Sequence, residues 1–253
     1  MNTSSQVRVE NTSGVLTITL ARPNKKNALT AQMYQALVEA LEMASAEPSV
    51  QAVLLDADGE DFCAGNDIGD FVSLARSAQA IEDSDVFRFL RALAMFDKPL
   101  VAAVRGRAVG IGTTMLLHCD LVYVAEDARL STPFVDLAVV PEAASSLLLP
   151  ARIGHVRAFA LFALGETLDG AAAVQCGLAN AALPAQQVTA RARASALTLD
   201  GKPAQALQAT KKLMREPQRM LTTIAAEGKV FAERLRSAEA QARFQAFMTR
   251  RGQ

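Results

Sequence analysis

An excess of charge of either sign is missing from this chain. Its 253 residues carry 26 Lys and Arg against 26 Asp and Glu, a formal net charge of zero. Binders of nucleic acid or anionic membrane surfaces usually show a basic excess, so neither class is supported. Long apolar runs are missing too. Stretches such as Leu100 to Val104 fall far short of the ~18 residues that a membrane span needs. Met1 to Gln6 is polar and lacks the pattern of a signal peptide. Cysteine is scarce. Cys63, Cys119 and Cys176 are scattered and odd in number, which argues against a disulfide framework and for a reduced, cytoplasmic setting. Histidine is scarcer, with His118 and His155 alone, and no Cys or His pair has metal-ligand spacing. Internal repeats, low-complexity linkers and coiled-coil heptads are absent.

Apolar residues, in contrast, make up 51% of the chain, enough for the core of one large domain, with or without a small appendage. Their spacing gives the elements. Period-two alternation on either side of Asn11-Thr12-Ser13-Gly14 predicts a β-hairpin over Val7 to Leu20. Arg22 to Asn27 is a polar loop. Thr30 is placed to cap a helix with Met33, Leu37, Leu41 and Ala44 on one face, ending near Pro48. Ala52 to Asp56 predicts a strand, Asp58 to Asp67 a loop, and Phe71 to Phe96 a helical stretch. Leu100 to Val104 is a buried strand closed by Gly106, a helix runs from about Gly110 to His118, and Asp120 to Ala125 is a further strand. Strands that alternate with helices predict a mainly parallel sheet. After Pro184 only Ala-rich helical stretches remain, broken at Gly201-Lys202-Pro203 and Glu216-Pro217.

Two segments could present free backbone N–H groups. Lys98 to Thr114 is a strand, a glycine turn and a helix start. The first amides of a helix lack intrahelical acceptors, and Gly106, Gly110 and Gly112 would allow a ligand close to the backbone. The segment has neither the Gly-Lys-Ser/Thr of a P-loop, nor dinucleotide-fingerprint spacing, nor a Gly-x-Ser-x-Gly elbow. Asp61 to Ile68 is the second segment: small residues between a strand and a helix. Close packing and ordinary capping are the plain alternatives for both.

Glu142 is the conspicuous acid, set in the nearly apolar stretch Thr132 to Pro150. It could be a first-turn helix acid after Pro141. It could equally be a base, because burial raises a carboxyl pKa toward the range useful for proton transfer. Asp136, the other acid nearby, reads as structural or capping, and Asp67 as a helix cap. His118 and His155 are poor candidates, Cys63 lacks a paired base, and Leu147-Leu148-Leu149 reads as core.

Taken together, Arg22-Pro23 with Asn27-Ala28-Leu29, the loop Phe62 to Ile68, the strand and turn Lys98 to Gly112, and Pro141-Glu142 resemble the crotonase (enoyl-CoA hydratase/isomerase) superfamily over nearly the whole chain. Gly65-Asn66-Asp67 and Thr132-Pro133-Phe134 with Pro141-Glu142 look most like the peroxisomal-type Δ3,Δ2-enoyl-CoA isomerase branch. The resemblance implies an α/β crotonase (ClpP/crotonase-like) fold of repeated ββα units with a helical C-terminal region. It implies a core over residues 1–195 and a C-terminal helical trimerisation region over 196–253. It implies a homotrimer or dimer of trimers acting on acyl-CoA thioesters, with no cofactor beyond the coenzyme A carried by the substrate and no bound metal.

Carried over position by position, the resemblance makes Asn66 and Ile111 the N–H donors of an oxyanion hole. Lys25, Ala28, Leu29, Ala64, Gly65, Asp67, Ile68 and Gly110 become substrate contacts, with Lys25 or Lys26 near a CoA phosphate. The two glutamates of a hydratase would fall at Thr114 and Phe134, neither of which can act as acid or base. Glu142 is left at the position where isomerase-type members place a single acid. The expectation is therefore Δ3 to Δ2 isomerisation of an enoyl-CoA with Glu142 as the proton shuttle. A 2-enoyl-CoA hydratase, another crotonase-type reaction, and a non-catalytic acyl-CoA binding protein are the alternatives.

Overall fold

The computed structural model describes residues 6–76 and 80–251. Strands β1 (Val7–Thr12) and β2 (Val15–Leu20) form the antiparallel hairpin. Thr12 pairs with Val15, so the turn is only Ser13-Gly14, shorter than the predicted loop from Asn11. Both turn residues have positive φ, 53° and 73°, as the primed turns that match strand twist require. Strands β3 (Ala52–Ala57), β4 (Leu100–Val104), β6 (Leu121–Ala125) and β9 (Ala181–Leu183) complete a six-stranded sheet of order β1-β2-β3-β4-β6-β9, parallel from β2 onward. All five residues of β4 are buried, as a strand covered on both faces must be.

A second sheet holds β5 (Arg107–Val109), β7 (Arg129–Ser131) and β8 (Thr167–Leu168). The chain thus leaves β4 in the large sheet for β5 in the small one, and β6 for β7 in the same way. These are the expected repeated strand–strand steps. Gly106 makes the first step possible: its φ is +58°, and a Cβ there would lie 2.1 Å from Glu60 O. The three strands of the small sheet, and β9, are two or three residues long and were not visible in the sequence pattern.

Helix α1 (Ala31–Ala46) begins where expected, with Thr30 Oγ1 accepting from Met33 N at 3.2 Å and Met33, Leu37, Leu41 and Ala44 all buried. The helical stretch expected over Phe71 to Phe96 is two helices, α2 (Ile68–Arg76) and α3 (Asp85–Met95), with a 3-10 turn at Ile81–Asp83; residues 77–79 lie outside the described residues. Ser84 divides them: it is extended, and its Oγ donates to Ile81 O at 2.6 Å. The helix expected from Gly110 to His118 is one α-turn, α4 (Ile111–Thr114), tightening into a 3-10 turn at Met115–His118.

Next come α5 (Ser145–Ile153), α6 (His155–Ala163) and α7 (Gly170–Gln175). After β9 the chain is helical: α8 (Ala185–Asp200), α9 (Ala204–Met214), α10 (Pro217–Leu235) and α11 (Ala238–Arg251), broken at the expected Gly-Lys-Pro and Glu-Pro sites. Helix α8 packs on β3, β4 and β6, and the expected boundary between 195 and 196 falls inside it. Among the described residues no helix is long and apolar enough to cross a membrane.

Candidate active site

The segment 62–67 lies between two neighbours as though it were a strand. On one side Cys63 N donates to Arg107 O and Val109 N to Cys63 O, at 3.0 and 2.9 Å. On the other, Ala64 N donates to Lys26 O, Leu29 N to Gly65 O and Asp67 N to Leu29 O, at 2.8 to 2.9 Å. Backbone groups alternate in an extended chain, so Asn66 N–H faces away from the 26–29 segment. Among the described hydrogen bonds it has no acceptor. Ile111 N–H is the first amide of α4 and likewise has none, as the first turn of any helix leaves its donors.

Two glycines bring these donors together. Gly110 adopts φ 56°, ψ −118°, a region open almost only to glycine. Gly112 presses α4 onto the 62–66 segment: a Cβ there would stand 2.6 Å from Cys63 O.

Both donors border a cavity of about 570 Å³. Ala64, Gly65, Asn66, Ile68, Gly110 and Ile111, all expected site residues, line it. Lys26, not Lys25, lines it among the two lysines; Lys25 ends the 3-10 turn Pro23–Lys25. Ala28 and Leu29 are buried and act through their backbones: Ala28 O accepts from Arg22 Nη1 at 2.9 Å, and Leu29 makes the two bonds just described. Asp67 does not border the cavity either. Its Oδ1 accepts from Gly69 N at 3.0 Å, capping α2, and its Oδ2 from Arg22 Nη1 at 2.8 Å. Burial pushes its pKa up, but the Arg22 bond and charge outweigh this and hold it below the ordinary value. Asp136, read as structural, lines the cavity wall and is exposed there.

Glu142 is 3% exposed and does not itself line the cavity. It is no first-turn acid, because α5 starts at Ser145 with Ala144 as its N-cap. Its side chain turns to α4 instead: Oε1 accepts from Thr114 Oγ1 at 2.6 Å. Oε2 is buried with no partner. Burial pushes the Glu142 pKa up to about 8, with the Thr114 bond opposing and the nearby Glu227 charge adding. Thr114, three residues beyond Ile111, therefore ties the acid to the helix that carries one of the two donors.

The rest of the wall comes from distant elements. Phe134 packs against Phe162, with ring centroids 6.0 Å apart. Phe71 of α2 meets Phe231 of α10 and Phe244 of α11 edge-on, at 5.6 and 5.7 Å. Arg107 and Arg243 add positive charge to that of Lys26. Tyr34 is buried, and its hydroxyl donates to Asn66 Oδ1 at 2.5 Å, bracing the 62–67 segment from α1. Cys63 is buried, and burial pushes its thiol up to about 12, so no thiolate is available as a nucleophile. His118 is buried as well and held neutral, its pKa lowered to about 3 first by burial and then by Arg215. No cluster of metal-ligating side chains occurs among the described residues.

Sequence reasoning missed Tyr34, the C-terminal wall and the role of Thr114. For the wall a signal existed: Phe231 lies on the apolar stripe of an amphipathic C-terminal helix. Nothing local marks Tyr34 or Thr114.

Residues 10–253 match the family model described as enoyl-CoA hydratase/isomerase. Enoyl-CoA delta isomerase 2 of Rattus norvegicus is 34% identical over 219 residues, covering 85% of this chain but 56% of that longer protein. The chain thus spans little more than half the length of that relative. A probable enoyl-CoA hydratase of Rhodobacter capsulatus is 30% identical over 247 residues, covering 97% of this chain and 95% of that one. The solved structure of Pseudomonas aeruginosa OdaA superposes with a TM-score of 0.92 at 46% identity, over 97% of this chain and 99% of that one.

Proposed function

Since the chain belongs to the enoyl-CoA hydratase/isomerase family, we propose that it moves the double bond of a 3-enoyl-CoA to the 2-position, with Glu142 carrying the proton. The observation behind this reading is the state of the Glu142 carboxyl: one oxygen committed to Thr114, the other buried and unpartnered. The free oxygen, Oε2, takes a proton from C2. The electron pair flows into the thioester carbonyl, giving a dienolate whose oxygen accepts from the Asn66 and Ile111 amides. The same oxygen then returns the proton at C4, leaving the 2,3 double bond and an ionised Glu142. Each fixed donor on such an oxyanion contributes about 2.7–4 kcal/mol to the transition state.

One proton carrier suffices for this shift, whereas hydration must both activate water and protonate the alpha carbon. Thr114 and Phe134, at the two positions where a hydratase keeps its acids, supply neither function. The hydratase reading is favoured by relatives such as the Rhodobacter capsulatus protein, so the test compares the two reactions. Wild type should convert 3-hexenoyl-CoA faster than it hydrates 2-hexenoyl-CoA. Glu142→Gln should lose roughly 10²–10⁴ in kcat, the usual contribution of a positioned acid–base group. Dominant hydration would reject isomerisation. Loss of turnover in Asp136→Asn, with Glu142→Gln active, would move the base to the acid on the cavity wall.

A further inference from the structure

Between Glu142 and α5 the chain takes two successive left-handed steps without glycine, Ala143 at φ 63° and Ala144 at φ 54°. A non-glycine residue there costs about 1–2 kcal/mol, so neighbours must hold the loop in place. His118 does so from one side: its Nε2 lies 2.8 Å from Ala143 O, and its Nδ1 lies 3.1 Å from Arg215 Nη2. A guanidinium only donates, so Nδ1 accepts and Nε2–H donates to the carbonyl.

Glu227 holds the loop from the other side. Its Oε2 accepts from Ala144 N at 2.7 Å, and its Oε1 from Ser146 N at 2.9 Å and Ser146 Oγ at 2.5 Å. It is 7% exposed and stands in the apolar stripe Met220, Ile224, Phe231 and Leu235 of α10. An acid in such a stripe is expensive to bury unless its hydrogen bonds are made. Gly228 lets α10 pack closely on α3, since a Cβ there would lie 2.6 Å from the Phe87 ring.

We propose that Glu227 is a positioning residue for proton transfer: by clamping Ala144 and Ser146 it sets the place of the Glu142 carboxyl. The proposal rests on Glu142 being the base. Burial pushes Glu227 up to about 7, with its three hydrogen bonds opposing, and its charge adds to the rise at Glu142. Other groups around the pair leave this coupling uncompensated. His118 is neutral, and Tyr34 and Cys63 are pushed up and uncharged. Of the charged side chains around α10, Arg243 of α11 borders the cavity, and several others bind elsewhere. Arg91 binds Glu82 O, Arg88 pairs with Asp85, Arg152 binds the Leu116 and Leu117 carbonyls, Arg215 binds His118, and Arg234 binds Glu239.

The experiment measures kcat, KM and the pH profile of kcat with 3-hexenoyl-CoA for Glu227→Gln, Glu227→Asp and Glu142→Gln. Glu227→Gln should leave KM near wild type and lower kcat by roughly tenfold to a hundredfold, the size expected for a misplaced reacting group. Its acid limb should move to lower pH, because Glu142 ionises more readily without a neighbouring anion. Glu227→Asp keeps the charge but shortens the reach, so kcat should fall while the limb stays in place. Should Glu227→Gln fail to fold, Glu227→Asp decides alone: an unchanged kcat overturns the proposal. Wild-type kcat and an unmoved limb in a folded Glu227→Gln also overturn it. With Glu142→Gln inactive, that result rejects only the positioning role; with Glu142→Gln active, the base assignment falls and the proposal falls with it.

Discussion

At the scale of the residue, Glu142 ties folding to pH in a definite direction. Its folded pKa of about 8 stands above its ordinary value of 4.5. Between those values the folded chain binds a proton that the unfolded chain has released. The stabilisation is therefore complete below about pH 4.5 and is lost as pH rises through about 8. Glu227 acts in the same sense up to about 7. His118, lowered to about 3 from 6.5, acts in the opposite sense between those values, so it offsets the lower part of the Glu142 interval and leaves the span above 6.5 to the carboxyls. Glu142→Gln removes one contribution and leaves the others. Melting temperatures at pH 6 and pH 8.5 should therefore fall less for the variant than for wild type. An equal fall in both would mean that Glu142 is not protonated in the folded protein near neutral pH.

At the scale of the element, the site depends on how closely α4 approaches the 62–66 segment, and Gly112 sets that distance. An alanine Cβ would meet Cys63 O at 2.6 Å, backbone against backbone, so one segment must move. The two donor amides would then separate. Gly112→Ala should keep its secondary structure by circular dichroism yet lose about tenfold or more in kcat/KM, up to the roughly 10²–10³ that loss of a whole oxyanion donor costs. Full activity would show that the spacing has slack. Much of this arrangement was legible in the sequence. Thr30 capped its helix, Leu100 to Val104 read as buried, and the glycines of 106 to 112 marked a turn where backbone comes close. What was hidden had short range or long reach. Strands β5, β7, β8 and β9 have no room for a period, and the break at Ser84 is a single side-chain bond. Lys26 was indistinguishable from Lys25 in the sequence, and of the two only Lys26 lines the cavity. Tyr34 and Glu227 act across 32 and 81 or more positions of sequence, which no local pattern reports.

At the scale of the whole molecule, the cavity wall draws on the middle of the chain and on α10 and α11, so the C-terminal helices serve the site as well as the core. The same fold leaves a different face uncovered. On α6, Val156 is 81% exposed and Phe159, one turn later, 59%; Leu164, just past the helix end, is 70% exposed. Large apolar side chains grouped on one helix face are unusual on a monomer and mark contact surfaces. The family resemblance implies a trimer or dimer of trimers with contacts in the 196–253 region, and we propose the α6 face as a further surface on which copies of the chain meet. Burying Val156 and Phe159 would contribute about 3–6 kcal/mol per contact, taking 1.5–3 kcal/mol for each side chain. Replacing both with Glu should therefore raise the dissociation constant by roughly 10²–10⁴. Light scattering after size exclusion at micromolar concentration should give a multiple of three chains for wild type and a shift toward single chains for the double variant, with helix content unchanged. A monomeric wild type, or an unaltered assembly in the variant, would take the α6 face out of the interface.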